Sequence, residues 1–411
     1  MNLAHQIEER LPARALTIIQ KAVKLAQARG ERLYLVGGAV RDLLLEKYVL
    51  DIDLVLEGDS IGLAHELAQS EDAKITLHKP FLTANLQWPD LSLDLTSARR
   101  ESYARPGALP AVQPGNLRDD LFRRDFSINT MALSLNPEDY GRLIDFYGGL
   151  DDLHNKLVRT LHEKSFADDA TRLWRAVRYE QRLDFHIEER TKTLLQRDLP
   201  MLKTITGDRI WYELECVFGE ELPEKVFARA GELGVLQYLH PRLNIDGWLP
   251  AWFDEARRIS LPQKPPIGIY LALLTFNLDI EAVEQLIDYL KLDKILSRTL
   301  RESQKIRALH EELSEEIMQP SAIYLHLHGY SEEAITTNLI ASGSAEVRRN
   351  IQLYLDDLRY VKTSLNGDDL IALGIKEGPG IKLLLGFLLD ARLDGEVATR
   401  EDEERLLRNI L

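Results

Sequence analysis

Two aspartates one residue apart, Asp51 and Asp53, sit in a run whose apolar positions, Ile52, Leu54 and Leu56, face the other way. On a strand, side chains at i and i+2 leave the same face, and two carboxylates so placed repel unless a cation lies between them. Hard oxygen ligands in that number suit Mg²⁺, which takes few protein carboxylates and leaves its other positions to water and substrate phosphates. A second alternating run, Leu91 to Thr96, adds a third strand carboxylate, Asp94. Upstream, the apolar run Leu33 to Val36 ends in Gly37-Gly38 and continues Ala39-Val40-Arg41-Asp42. A strand that enters a helix through two glycines lets backbone N–H groups approach a phosphate at the positive end of the helix. Together these residues predict two-metal phosphoryl transfer, with Asp51, Asp53 and Asp94 catalytic and Asp51 and Asp53 as the metal ligands. One metal would activate an attacking hydroxyl, and the other would hold a triphosphate and the leaving pyrophosphate.

Arg123-Arg124-Asp125-Phe126-Ser127-Ile128-Asn129 supplies adjacent guanidiniums for a triphosphate, with Asp125 and Asn129 as groups for a ribose hydroxyl. Further on, the spacing of Asp168-Asp169-Ala170-Thr171-Arg172-Leu173-Trp174-Arg175-Ala176-Val177-Arg178 predicts one helical ridge of carboxylate followed by guanidinium. Cytosine and adenine each show an amino donor beside a ring-nitrogen acceptor, whereas uracil and guanine show a carbonyl beside an N–H. An acceptor at Asp169 next to a donor at Arg172 therefore admits C and A and repels U and G. Arg175 and Arg178 would position phosphate or the base plane. Each pattern also has an ordinary reading: turn chemistry for the glycines, a solvated edge strand for the aspartates, surface ion pairs for the ridge. Their coincidence in one chain favours chemistry.

The elements that must carry these residues are an α/β head and a helical remainder. Leu16 to Ala28 and Ala39 to Leu45 have helical spacing, while Leu33 to Val36, Asp51 to Leu56 and Leu91 to Thr96 read as strands. A stretch rich in Pro and Gly, Tyr103 to Leu117, interrupts this pattern before Asp125 to Leu135 resumes it. Beyond Gly148-Gly149, amphipathic helices follow one another with breaks at Pro200, Gly207, Pro241 and Gly329. His326 and His328 read as loop or strand polarity, not as metal ligands.

The composition of the 411 residues is globular, 45% hydrophobic and 28% charged, which excludes disorder, collagen and coiled coil. A single cysteine, Cys216, forms neither an internal disulfide nor a thiolate cage, so a reducing cytoplasm is the expected setting. No apolar run has the length of a membrane span, so no membrane partner is expected. The net charge of −15 argues against a broad nucleic-acid surface, and any phosphate site must be a local basic patch.

The ordered set Gly37-Gly38-x-x-Arg41-Asp42, Asp51-x-Asp53, Arg123 to Asn129, Ile144-Asp145-Phe146-Tyr147-Gly148-Gly149, Asp168 to Tyr179 and Ile205-Thr206-Gly207-Asp208-Arg209-Ile210 resembles the motifs of the class II tRNA nucleotidyltransferases. These are CCA-adding enzymes of the DNA polymerase β superfamily, to which bacterial poly(A) polymerases also belong. The resemblance implies an α+β protein with a polymerase-β-like head (1–147), a helical neck that recognises the base (148–215), a helical body (216–320) and a tail that binds tRNA (321–411). It implies Mg²⁺ at Asp51 and Asp53, Arg124 and Asp125 near the ribose and triphosphate, and Asp169 with Arg172 as the base reader. Gly37, Gly38, Arg41, Asn129, Arg175 and Arg178 complete the expected nucleotide site. The implied partners are the tRNA 3′ end, CTP and ATP, with no protein partner indicated. Where the family has Glu-Asp this chain has Asp168-Asp169, one methylene shorter at the first position. The segment Arg100 to Arg118 lies where relatives carry a flexible loop that aids the change from C to A addition, and the tail segment Gly367 to Ile381 lies where they reach toward the tRNA elbow. Narrower alternatives are an enzyme adding only A or only CC, or a poly(A) polymerase; a silent RNA-binding protein on the same fold is the alternative from another class.

Overall fold

The computed structural model describes residues 1–49, 51–245 and 247–409. The chain divides into two compact units, Met1–Tyr238 and Leu239–Leu411. Every expected site residue falls in the first.

That unit opens with helices α1 (Ala4–Arg10) and α2 (Ala13–Ala28), then β1 (Arg32–Val36), α3 (Gly38–Leu44), β2 (Ile52–Glu57), α4 (Ser60–Glu71), β3 (Lys74–His78), β4 (Thr83–Gln87) and β5 (Ser92–Ser97). A small hairpin of β6 (Arg99–Ser102) and β7 (Ala111–Pro114) follows, then α5 (Leu117–Phe122), β8 (Met131–Ser134) and β9 (Leu143–Asp145). Seven strands form one sheet in the order β3-β4-β5-β2-β1-β8-β9. Within it β2 and β5 run parallel and the remaining neighbours are antiparallel.

One face of the sheet is closed by helices. α2 packs on β1, and α4 on β4 and β5, burying Ile18, Ile19, Leu63 and Leu67 with Leu33, Leu35, Leu54 and Leu93. Alternation along the strands then sends Asp53 and Asp94 to the other face, where α5 covers only the far end through Leu117 and Leu121. α5 begins in a capping box between Asn116 and Asp119, which fixes where Arg123 and Arg124 leave it.

The first unit continues with α6 (Gly149–His154), a two-stranded parallel pair of β10 (Leu157–Val158) and β11 (His186–Ile187), and helices α7 (Ser165–Asp168), α8 (Thr171–Leu183), α9 (Glu189–Asp198), α10 (Gly207–Phe218) and α11 (Pro223–Glu232). The second unit is helical throughout its described residues, with one core built around Ile306, Ile323, Leu327, Ile351 and Tyr354 and a smaller one around Leu365, Leu370, Leu388 and Leu407.

Four expectations need correction. The interruption after Tyr103 is not plain loop, because strands β6 and β7 flank its tip. Asp125 to Leu135 is not one strand: a 3₁₀ turn, Ser127–Asn129, precedes β8. Asp168 and Asp169 do not share a helix with Arg172; Asp168 ends α7 and Asp169 is extended, at φ −139° and ψ 102°. The polar sequence Asp-Asp-Ala-Thr keeps helical spacing, yet it caps one helix and starts another. His326 lies in a helix, Pro320–Leu327, 3.4 Å from Glu312, and His328 stacks on Tyr324.

Candidate active site

The site is built where β1 gives way to α3. Gly37 has φ 72° and ψ −132°, a conformation that L side chains avoid. A Cβ there would lie 2.5 Å from Nη1 of Arg124 and 3.6 Å from Oδ2 of Asp53, so the glycine admits a guanidinium against the turn beside the carboxylate. Asp53 and Asp94 are partners in the register of the parallel pair β2–β5. Asn85 on β4 donates to Oδ1 of Asp94 at 2.8 Å. The strand begins at Ile52, so Asp51 stands at its entrance and is more exposed than Asp53.

Burial pushes Asp53 up to about 6; Arg124 opposes the shift, while Asp51, Asp94 and Asp120 add to it. Partial burial and Asp94 raise Asp51, against the field of Arg182. Carboxylates crowded against their own charge are the donor set a divalent cation relieves. Among the described residues no group of three or more His, Cys, Asp or Glu side chains forms a complete metal cage. Two strand carboxylates leave the other positions of a divalent cation to water and substrate phosphate.

Arg124 and Arg123 leave α5 around Asp120, a fully buried carboxylate paired with them at 3.2 and 2.8 Å. Burial works against its ionisation, yet the two guanidiniums hold Asp120 below the usual carboxylate range. Asp125 and Asn129 do not offer free groups to a ribose. Asn129 accepts from Arg41 at 2.7 Å and donates to Asp125 at 3.0 Å, and the other oxygen of Asp125 takes two N–H groups of Arg175 at 2.5 and 2.8 Å. Against complete burial, Arg175 and Asn129 hold Asp125 down at about 2. These two residues position the arginines on either side of them. Arg178 pairs with Glu220 and Glu213 at 3.3 and 3.6 Å. The ring of Tyr179 then packs against Arg41, Arg175 and Arg178, each guanidinium 5.2–5.6 Å from its centroid.

Asp169 and Arg172 line the same cavity; the backbone N–H of Arg172 donates to the carbonyl of Asp169 at 3.2 Å, while their side chains are held by other partners. Oδ1 of Asp169 accepts from Thr171 N and Oγ1 at 3.0 and 2.8 Å and from Arg209 at 2.7 Å. None of these three bonds uses Oδ2. Arg172 is buried and anchored on Ser165 Oγ at 2.7 Å and the carbonyl of Arg123 at 2.5 Å. Asp168 lies apart, 4.0 Å from His162.

One cavity of about 670 Å³ is lined by Gly38, Arg41, Asp51, Asp53, Asp94, Arg124, Asp169, Arg172, Arg175 and Arg178. It thus gathers the predicted strand carboxylates, the arginine pair and the base-reading residues. Among the further side chains lining it are Glu101 and Tyr103 from the β6–β7 hairpin, Arg182 from the end of α8, and Arg209 from α10, none of them among the site residues expected from the sequence. Tyr103 donates to Glu101 at 2.8 Å, and Glu101 also holds Arg99 and Arg123. Arg209 stands within the sequence motif Ile205 to Ile210, but its partner is 40 residues away. Arg182 extends the arginine spacing of α8 by one more turn, the one local signal that could have found it.

Residues 33–159 match the family model described as the poly A polymerase head domain, and residues 184–246 match one described as a probable RNA and SrmB-binding site of polymerase A. An A-adding tRNA nucleotidyltransferase of Halalkalibacterium halodurans is 33% identical over 100% of this chain and 96% of its own length. One from Geobacter sulfurreducens is 36% identical over 98% of this chain, which spans only 48% of that relative; for the Aquifex aeolicus relative the share is 41%. A CC-adding enzyme of Deinococcus radiodurans is 31% identical over 92% of the chain and 89% of its own. Among solved structures, an apo CCA-adding enzyme superposes with a TM-score of 0.85 at 32% identity, covering 100% of this chain and 99% of that one. The Thermotoga maritima CCA-adding enzyme complexed with tRNA superposes at 0.80 with 32% identity and the same coverage. With its mixed-sheet head, carboxylate pair and arginine-lined cavity, the chain belongs to the class II CCA-adding tRNA nucleotidyltransferase family.

Proposed function

We propose that this protein extends the 3′ end of tRNA without a template, adding C from CTP and A from ATP and releasing pyrophosphate. The observation that carries this reading is the convergence of Asp51, Asp53 and Asp94 on a cavity whose other walls are arginines and Asp169. In this reading the head and neck supply the chemistry, while body and tail hold the tRNA.

Arg124, pressed against the Gly37 turn, meets the triphosphate, and the N–H groups entering α3 add to the hold. Asp169 Oδ2 accepts from the exocyclic amine of C or A, and Arg172, fixed by Ser165 and Arg123, donates to the ring nitrogen. Arg209 and Thr171 hold Asp169 through Oδ1 and so fix its orientation. Asp51 and Asp53 would hold Mg²⁺, which supplies charge neutralisation for the triphosphate and a lowered pKa for the attacking hydroxyl. The two carboxylates set where that hydroxyl lies, in line with the α-phosphate.

A narrower reading, addition of the terminal A alone, is favoured by the A-adding relatives that align along the whole chain. Single-nucleotide extension of tRNA transcripts ending at the discriminator base, at C and at CC separates the two. Growth of all three to CCA, with UTP and GTP refused, supports the full reading; growth of the CC-ended transcript alone, by one A, supports the narrower one. Asp53→Ala is expected to abolish incorporation while tRNA affinity stays within a few fold. Wild-type turnover in that variant would remove the metal assignment, and no extension of any transcript would leave an RNA-binding role.

A further inference from the structure

The cavity holds one arginine that the reaction as described does not use. Arg172, Arg175, Arg178 and Arg182 stand on one side of α8 and all line the cavity. The first three are committed: Arg172 to Ser165 and Arg123, Arg175 to Asp125, Arg178 to Glu213 and Glu220. Arg182 has a long contact with Glu220, 3.9 Å, to an acid that already serves Arg178, and its side chain is 43% exposed.

Its position separates it from the incoming nucleotide. Ten residues of helix, about 15 Å, lie between Arg172 at the base pocket and Arg182. Arg124 lies against the Gly37 turn on the side of Asp53, whereas Arg182 lines the cavity with Asp51 from the far end of the arginine ridge. With a nucleotide seated between Arg124 and Arg172, the remaining anion that must approach Asp51 belongs to the RNA that brings the attacking hydroxyl. An exposed guanidinium with a weak partner exchanges that partner for phosphate at little cost, and its planar fork fits two phosphate oxygens.

We propose that Arg182 binds the last phosphodiester of the RNA being extended and so sets its 3′ hydroxyl at the carboxylates. This contact rests on the nucleotidyltransferase reading above and deepens it by naming the acceptor side of the site.

The test uses the full chain and two CC-ended tRNAs, one natural and one with an uncharged methylphosphonate at the last linkage. For A addition, Arg182→Ala is expected to raise KM for tRNA about tenfold, equivalent to about 1.4 kcal/mol, with KM for ATP unchanged. The methylphosphonate should cost the wild type a similar factor and Arg182→Ala almost nothing, while Arg182→Lys keeps most of the natural affinity. An equal methylphosphonate penalty in wild type and Arg182→Ala, or a rise confined to KM for ATP, would overturn the proposal and leave Arg182 as a counter-charge for Asp51. If the wild type extends no tRNA, the parent reading has failed. Equilibrium binding of the two RNAs needs no turnover and still reads the contact: a charge preference present in the wild type and lost in Arg182→Ala upholds it, and equal preference in both refutes it.

Discussion

At the scale of single residues, the site depends on close approaches that only particular side chains permit. Gly37 leaves 2.5 Å between a missing Cβ and Nη1 of Arg124, so Gly37→Ala must displace the guanidinium or rebuild the turn. The expected result is a rise in KM for nucleotide of about tenfold or more, the loss of one charge-assisted contact, measured with CC-ended tRNA saturating. Asp125 leads to a prediction about pH. Its pKa is lowered in the folded state to about 2, so its ionised form stabilises the fold fully above the unfolded value near 4 and loses that contribution as pH falls toward 2. Asp125→Asn should therefore cost about 2 kcal/mol at pH 7, and the gap in urea midpoint from the wild type should narrow below pH 4. A gap that stays constant with pH would show that packing, not charge, carries the effect. The carboxylates and arginines were legible in the sequence because their types and spacing are unusual. The bond between Asp169 and Arg209 was not, because a contact across 40 residues leaves no local periodicity.

At the scale of elements, the β6–β7 hairpin links the sheet to the proposed base pocket. Its flanks place Glu101 and Tyr103 at the cavity, and at its tip a Cβ on Gly107 would come 2.4 Å from the carbonyl of Thr204, in the segment that leads into α10 and Arg209. Gly107 also has φ 72°. Gly107→Ala is expected to push the tip off Thr204 and lower kcat/KM for A addition several fold, at a cost of about 1 kcal/mol in stability. An unchanged rate with intact folding would detach the hairpin from base selection. The strands and helices of the head were legible because the period changes between 2 and 3.6 along the chain. The hairpin was hidden because Pro106, Gly107, Pro110 and Pro114 mask the alternation of its short strands. The break at Asp169 was hidden for the opposite reason, since its neighbours keep helical spacing through a bend.

At the scale of the whole molecule, the chain carries a net charge of −15 yet has a cavity walled by arginines. A negative sum disfavours nonspecific RNA binding away from local basic patches. Random single strands are expected to bind far more weakly than tRNA, and raising salt from about 50 to 200 mM should release them first in filter binding. Retention of random strands at the higher salt would mean a second basic surface. The sequence disclosed that any such patch must be local, but not that it is assembled from the sheet, the hairpin and helices that include α3, α8 and α10. That assembly has a consequence for synthesis. β1 waits for β8, about a hundred residues later, and Asp169 waits for Arg209. A nascent chain is therefore expected to emerge from the ribosome with the proposed base pocket incomplete until α10, which carries Arg209, has been made. Selectivity then comes late, at the moment α10 folds against what preceded it.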